Sequence, residues 1–182
     1  MKQLKYLMAL CLLVWGSVAA TTALAATKEE IDAKVREAIQ RFYQHTSAGK
    51  ELAGKAAGML VFPEVIKAGV GVGGEFGEGA LLVKGQTVDY YNIASASIGF
   101  QLGAQLKSEI VLFMNAKVLE DFRKSKGWQA GVDGSVALAT LGAGGEINTE
   151  TLKQPIIAFI FSNKGLMYNL TLEGSKITRV KK

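Results

Sequence analysis

The apolar residues that follow position 26 first recur with a helical period. Four hydrophobic residues are spaced four, four and three apart: Ile31, Val35, Ile39 and Phe42. This spacing places them on one face of an amphipathic helix that ends near His45. Thr27, with Glu30 three residues later, predicts a capping box at the helix start. Acidic and basic residues balance on the remaining positions, which favours a helix packed on a core over a helix that lies on a membrane.

A second, shorter helix is predicted at 48–57, where Gly58 ends it. From Met59 onward, apolar residues alternate with small or polar ones or form short runs, and both patterns are typical of strands. The predicted strands are 59–62, 69–73, 80–83, 87–93, 97–105, 109–114 and 128–141. Pro63 is expected to end the first strand, and a turn at 84–86 is expected to join the third and the fourth.

The C-terminal third adds one helix and a closing pair of strands. Asn115 is the predicted N-cap of a helix at 116–124. Residues 156–161 are apolar throughout, which predicts a strand covered on both faces. Alternation at 166–172 and 177–180, on either side of a Glu-Gly turn, predicts a closing hairpin.

These elements predict a single α+β domain at 26–182. Its N-terminal helices pack on a largely antiparallel, glycine-rich β-sheet, which curls into a sandwich or a barrel. No linker or low-complexity stretch divides this part of the sequence.

The first 25 residues have the pattern of a secretory signal peptide. Two lysines precede an apolar run at 6–15, and Ala23-Leu24-Ala25 supplies the small residues that a signal peptidase requires. We therefore expect cleavage near Ala25 and export to the bacterial periplasm or the outer envelope. A retained membrane anchor is the alternative, because residues 6–27 carry no charge.

Composition narrows the function classes. The 182 residues include 21 basic and 16 acidic side chains, a net charge of +5, with two prolines and one cysteine. These values exclude a disordered chain, a collagen-like chain and a disulfide scaffold. Cleavage of the signal peptide would remove the single cysteine, and with it thiol chemistry and metal binding through sulfur.

Glycine is over-represented, with 21 residues. Six of the glycines lie close together between positions 69 and 79, and we term them the glycine stripe: Gly69, Gly71, Gly73, Gly74, Gly77 and Gly79. Its first part fits GxGxxG, but the following residues are strand-like and offer no helix N-terminus to a pyrophosphate, so a dinucleotide site is disfavoured. Glycines on a strand instead predict a sharp bend or the close approach of another backbone.

The sequence contains no convincing catalytic constellation. Glu75 and Glu78 are candidate paired carboxylates, but acids three residues apart in a glycine-rich turn are more often solvated. His45 is the single histidine, and a lone histidine without cysteines makes no zinc site. Neither a GxSxG elbow nor a P-loop lysine is present. We therefore predict that the protein is not an enzyme and uses no cofactor and no metal.

Positive charge is concentrated toward the C-terminal end. Residues 26–150 have a net charge of −2, and residues 151–182 a net charge of +5. A basic patch of this kind attracts phosphate-bearing lipid head groups. The candidate head-group residues, inferred from charge alone, are Lys164, Lys176, Arg179, Lys181 and Lys182. A solvated basic tail is the alternative. Export and the absence of a recognition motif argue against nucleic acid as a partner.

Three segments, taken in order, carry a family resemblance. They are KAGVGVGGEFGEGALL at 67–82, SIGFQLGAQ at 97–105 and SNKGLMYNLTLEGSKI at 162–177. Their order and spacing resemble the SYLF domain family, over roughly residues 53–179. The resemblance implies a non-enzymatic domain that binds phospholipid. Phosphoinositides are the ligands associated with eukaryotic members, some of which also bind actin. A signal peptide with this domain alone resembles the exported bacterial branch.

Two hypotheses for the function follow. The first is a non-enzymatic phospholipid-binding protein of the bacterial periplasm or cell envelope, whose C-terminal basic patch binds the anionic head groups of a membrane surface. The second is a structural or protein-interaction module of the envelope without specific lipid binding, which predicts a protein partner or a homo-oligomer. The family resemblance favours the first.

Overall fold

The computed structural model describes residues 26–140, 151, 153–162, 172 and 174–182. Its helices and strands are α1 (Lys28–His45), α2 (Ser47–Lys55), β1 (Gly58–Val83), β2 (Gln86–Phe113), α3 (Ala116–Lys124), β3 (Trp128–Gln129), β4 (Ala137–Thr140), β5 (Ile156–Phe161) and β6 (Lys176–Val180). The predictions for the first 25 residues, for Lys164 and for residues 166–171 of the strand expected at 166–172 lie outside the described residues.

The described strands form one mostly antiparallel sheet with β2 at its centre. β1 pairs with one edge of β2, and β6 and β5 pair with successive parts of the other edge. β3 continues the sheet beyond β6, and β4 continues it beyond β5 in a parallel pairing. With α1 and α2 preceding the strands, this arrangement confirms the predicted α+β class with a curled sheet.

β1 and β2 are much longer than the sequence pattern predicts. Three strands expected between 59 and 83 are one strand, and three expected between 87 and 114 are its partner. Pro63 does not end a strand, because it lies in a bulge between Phe62 and Val65, where the pairing does not require an N–H at this position. A two-residue turn at Lys84 and Gly85, both with positive φ, joins the two strands near the expected place.

β1 folds back on itself at a sharp bend near 69–73. A Cβ added to Gly69 would overlap the Cα of Gly73. Further along the strand, a Cβ added to Gly79 would overlap the carbonyl oxygen of Val61, so the two halves of β1 lie against each other. Contacts this close require glycine, which confirms the predicted bend and close backbone approach.

α1 and α2 cover the outer face of the curled sheet. α1 starts with the predicted capping box: the N–H of Glu30 donates to Thr27 Oγ1 at 3.2 Å, and the N–H of Thr27 donates to Glu30 Oε2 at 2.8 Å. The outer core beneath the helices includes Ile31, Val35, Phe42, Leu52, Val61, Ala80, Leu82, Leu112 and Phe159. Because this set contains residues from both halves of β1, α1 holds the two halves together.

α3 and β3 close the inner face of the sheet. The side chain of Asn115 caps α3, as predicted, by accepting the N–H of Val118 at 3.0 Å. The ring of Phe122 lies 4.6 Å from the ring of Phe113 and 5.7 Å from that of Trp128. Around these rings, the inner core includes Leu60, Phe62, Leu81, Tyr91, Ile93, Val111 and Ile177.

Two further strand predictions have different outcomes. All six residues of β5 are buried, which confirms a strand covered on both faces. The continuous strand predicted at 128–141 is wrong, because a turn separates β3 from β4. Gly131 has a positive φ in this turn, and Asp133 Oδ2 accepts the N–H of Gln129 at 2.6 Å.

Candidate functional site

The bend of the β1–β2 hairpin exposes large hydrophobic side chains on its outer face. The four residues and their exposed fractions are Ile66 (56%), Val72 (69%), Phe76 (52%) and Leu106 (47%). Ile66 and Leu106 are direct cross-strand partners, and Val72 and Phe76 follow on the far side of the bend. We term these four residues the bend surface. Exposed apolar groups gathered in one region mark a contact surface rather than a part of the core.

The bend surface begins where the cover provided by α1 ends. Glu64 is paired with Lys34 of α1 at 2.5 Å, and Glu78 is paired with Lys182 at 2.5 Å. Ile66 and Phe76 are the next outward positions of β1 toward the bend. Two ion pairs therefore separate the helix-covered part of the outer face from its bare apolar part.

Lys176 lies on the same outward row of the sheet as Phe76. The register pairs Phe76 with Ala94, Ala94 with Lys176 and Lys176 with Gln129, so this row crosses β1, β2, β6 and β3. All four of these residues are exposed. Since paired residues project to the same side of a sheet, the fold places a lysine beside the bend surface.

The charges left without a partner near the bend are positive. Glu64, Glu75 and Glu78 each take part in an ion pair. Lys67 and Lys176 form no ion pair with any residue that the structure describes. Lys176 shares the outward face of the bend surface, whereas Lys67 follows Ile66 directly and projects to the opposite face of β1. The bend surface therefore has one available ammonium group, that of Lys176, on its own face.

The inner side of the bend holds buried charges instead. Lys107 Nζ lies 2.9 Å from Glu75 Oε2 and 2.7 Å from Glu109 Oε1, and the three side chains are 0–3% exposed. We term these residues the buried triad. The expectation that Glu75 is solvated is wrong, because this residue lies within β1 and its side chain reaches across the curled sheet to β2.

The ionisation of the buried triad follows from its burial. Burial raises the pKa of Glu109 to about 7; attraction to Lys107 opposes this rise and repulsion from Glu75 adds to it. Burial alone would lower the pKa of Lys107, but its two carboxylate neighbours outweigh burial and raise it above the usual value. The ammonium is therefore held between two acids, one of which titrates near neutral pH. Because all three side chains are buried, we assign the triad a structural role.

The basic residues selected by charge are not gathered into one patch. Arg179 shares Asp89 with Arg123, at 3.4 and 3.0 Å, beside a groove along α3. Lys182 is largely buried in its ion pair with Glu78. These pairs neutralise part of the positive charge that the sequence concentrates at this end of the chain.

The other selected lysines are dispersed. Lys176 lies beside the bend surface, as described above, and Lys181 is exposed one position beyond β6. Lys164 lies outside the described residues. The structure thus brings one of the selected basic residues, Lys176, next to a second feature suited to binding.

The glycine stripe forms the backbone of the bend. Gly69 meets Gly73, Gly71 lies where the register shifts, and Gly77 and Gly79 meet the first half of β1. Gly74 has more room, since a Cβ there would lie 3.7 Å from the nearest atom, the carbonyl oxygen of Ser95. The whole stripe is strand, so it offers no phosphate-binding loop before a helix.

Sequence reasoning missed the bend surface. Val72 and Phe76 share the period-two phase of Ala80 and Leu82, which α1 covers. The alternation therefore indicates one continuous buried face, and it does not reveal that the helix stops short of the bend.

Two further observations concern the residues that the structure describes. Among them, no three His, Cys, Asp or Glu side chains are grouped as a metal site would require. None of the helices in this part of the chain is long and apolar enough to cross a bilayer.

The fold defines the class of protein: an α+β domain whose curled sheet carries helices outside and a glycine-rich bend at one end. Comparison with protein families then identifies it more closely. The family model Ysc84, described as Las17-binding protein actin regulator, matches residues 94–182. This match confirms the resemblance to the SYLF family over residues 94–182, just under half of the chain. A search of curated proteins finds no match to the chain.

The matched residues include much of the candidate site. They contain the second strand of the bend with Leu106, two members of the buried triad, Lys107 and Glu109, and Lys176 on β6. The glycine stripe of β1 lies before the matched residues. The family match and the glycine stripe are therefore separate observations on the two strands of one hairpin.

Proposed function

We propose that this protein is a non-enzymatic phospholipid-binding protein of the bacterial cell envelope, which attaches to anionic membrane surfaces through its bend surface. The observation that carries the proposal is the set of four hydrophobic side chains, 47–69% exposed, with Lys176 on the same face of the sheet. Apolar side chains of this kind enter the boundary between head groups and acyl chains, while lysines meet the phosphates.

The match of residues 94–182 to the Ysc84 family model supports this proposal at a coarser level. The resemblance to the SYLF family implies phospholipid binding, and the matching family model is described as a Las17-binding protein actin regulator. The pattern of a signal peptide at the N-terminus supports export to the periplasm or the outer envelope, where a lipid surface is at hand.

The proposal moves the lipid contact away from the C-terminal basic residues as a group. Arg179 and Lys182 already have carboxylate partners, so binding a head group would require them to exchange one partner for another. Lys67 and Lys176 have no such partner among the described residues. Of the two, Lys176 shares the outward face of the bend surface, so we assign the head-group role to Lys176 first.

The expected affinity follows from the two kinds of contact. Each well-placed lysine contributes about 1 kcal/mol at an anionic surface, and this part weakens with added salt. Burying a Phe or Val side chain contributes about 1.5–3 kcal/mol, and this part resists salt. Binding should therefore depend on both anionic lipid and the apolar side chains.

The test is sedimentation with vesicles of phosphatidylcholine, with and without phosphatidylglycerol, at low and high salt. We expect binding to the anionic vesicles and a loss of at least about tenfold in affinity for the double variant Val72→Ser, Phe76→Ser. Replacing Lys176 by Gln should weaken binding about fivefold, and Lys67→Gln, on the opposite face of β1, should have a smaller effect.

Matched controls come from other parts of the same chain. Val132 is 72% exposed in the turn between β3 and β4, so Val132→Ser removes an equally exposed apolar group elsewhere. Lys84→Gln removes a lysine at the β1–β2 turn, away from the bend. Equal losses in the control variants, or no binding to anionic vesicles at any salt concentration, would contradict the proposal. Self-association that the Val72 and Phe76 changes abolish, without lipid binding, would favour a protein-interaction module instead.

A further inference from the structure

The start of α1 and the C-terminal residue meet at one carboxylate. The backbone N–H of Ala26 donates to Glu78 Oε2 at 3.0 Å, and Lys182 Nζ lies 2.5 Å from Glu78 Oε1. The same Nζ donates to the carbonyl oxygen of Ala26 at 2.9 Å. The side chains of Lys182 and Glu78 are 9% and 19% exposed, so this junction is mostly shielded from solvent.

The nitrogen held by Glu78 is the one that signal-peptide cleavage would release. The Ala23-Leu24-Ala25 sequence places the expected cleavage at the peptide bond between Ala25 and Ala26. We propose that Glu78 is the binding site for the processed N-terminus of this chain. Hydrolysis adds one water across the Ala25–Ala26 bond, leaving a carboxylate on Ala25 and an ammonium on Ala26, and that ammonium forms an ion pair with Glu78. This proposal rests on the export that forms part of the proposed function.

Electrostatics explains why the new ammonium requires this carboxylate. It lies just before the positive end of the α1 dipole and close to the ammonium of Lys182, and both disfavour positive charge. Glu78 offers each cation one of its two oxygens. Because the junction is mostly shielded, salt screens these interactions less than it would on an open surface.

The proposal gives processing a structural consequence. Before cleavage, Glu78 accepts a hydrogen bond from a neutral amide, and after cleavage it accepts one from an ammonium, which is a stronger, charge-assisted bond. Cleavage therefore binds the new N-terminus more tightly to the second half of β1, where Lys182 is already held by Glu78.

The experiment expresses the full 182-residue chain in a secreting bacterial host and determines the N-terminal residue of the purified protein by mass spectrometry. The rate at which an amine-reactive acylating reagent modifies Ala26 is then measured at neutral pH for the wild type, Glu78→Gln and Lys182→Met. A bound ammonium is unreactive, so we expect acylation of the wild type to be about tenfold slower than that of Glu78→Gln. Lys182→Met should stay as slow as the wild type, because Glu78 remains to hold the ammonium.

Two results would overturn the proposal: a mature chain that begins at another residue, or an α-amine that is equally reactive in all three proteins. If Glu78→Gln does not fold, the wild type is compared with itself in urea, where unfolding should abolish the protection. Equal rates with and without urea would again overturn it. None of these readouts involves lipid, so a failure here is distinguishable from a failure of vesicle binding.

Discussion

The base and the bend of the β1–β2 hairpin differ in which side chains they bury: the base buries hydrophobic residues, and the bend buries charged ones. At the base, where β1 begins and ends, hydrophobic side chains fill both faces: Val61 and Leu82 point outward beneath α1, and Leu60 and Leu81 point inward. At the bend, the bend surface faces solvent and the buried triad faces inward. Along the same two strands, the buried positions thus change from hydrophobic at the base to charged at the bend, and the outward positions change from covered to exposed hydrophobic side chains.

This difference places the source of folding stability and the surface for binding other molecules in different parts of the hairpin. The base removes large apolar side chains from water on both faces, which stabilises the fold. The bend leaves its hydrophobic side chains in water, and a buried ion cluster contributes little net stability compared with apolar packing. The base therefore supplies most of the folding energy, and the bend supplies the contact surface.

The largest expected effect is a core truncation at the base. Phe113→Ala removes a fully buried ring that packs on Phe122, and should lower the free energy of unfolding by about 3–5 kcal/mol. Phe76→Ala removes the same ring from an exposed position and should change it by less than about 0.5 kcal/mol. Urea denaturation of the two variants measures both values. Similar losses would remove the distinction between base and bend.

A second prediction concerns the buried triad. Lys107→Met leaves Glu75 and Glu109 buried without their cation, and should cost about 3–5 kcal/mol in the free energy of unfolding. Adding Glu75→Gln and Glu109→Gln to this variant removes the uncompensated charge and should restore most of the loss. Thermal denaturation of the single and triple variants provides the measurement. A triple variant as unstable as the single one would show that packing, rather than charge, dominates at this position.

A third prediction tests the close approach of the two halves of β1. Gly79→Ala places a Cβ against the carbonyl oxygen of Val61, and overpacking of this kind should cost about 1–3 kcal/mol. Gly74→Ala is the matched control, since its Cβ would lie 3.7 Å from the nearest atom and should be tolerated. Chemical denaturation of both proteins compares them directly. If Gly79→Ala is tolerated as well as Gly74→Ala, the halves of β1 are less tightly packed than described.

The most gradual expected effect, small over any one pH unit, is a pH dependence of stability that originates inside the bend. The pKa of Glu109 is raised from 4.5 to about 7 in the folded state, so the folded state holds more protons than the unfolded state between these values. The free energy of unfolding should therefore fall as the pH rises through this range, by at most about 1.4 kcal/mol per pH unit. Subtracting the profile of Glu109→Gln isolates this contribution. Parallel profiles for the two proteins would contradict it.

The sequence predicted the base of the fold better than the bend. The capping box at Thr27 and Glu30 and the fully buried strand at 156–161 follow from local patterns, and the structure confirms both. The turn at Lys84 and Gly85 is local as well. These features depend on residues close in sequence, so they can be predicted without knowing which distant residues they contact.

The features of the bend depend on distant residues. Glu75 is buried because Lys107 lies across the curled sheet, and nothing near Glu75 in the sequence indicates this. Pro63 was expected to end a strand because a bulge cannot be foreseen from the alternation alone. Similarly, whether Phe76 is covered depends on where α1 stops along the sheet, which is a tertiary property.

The sharp bend has a consequence for the order in which the chain folds. The turn at Lys84 and Gly85 allows the hairpin to form progressively from its closed end, and the pairing of Gly58 with Phe113 closes the longest loop. Both ends of the hairpin belong to the base, so the two cores can be completed only after the bend has brought those ends together. The bend is therefore expected to form in the folding transition state. Substitutions there, such as Gly69→Ala, should slow folding in stopped-flow experiments more than they accelerate unfolding.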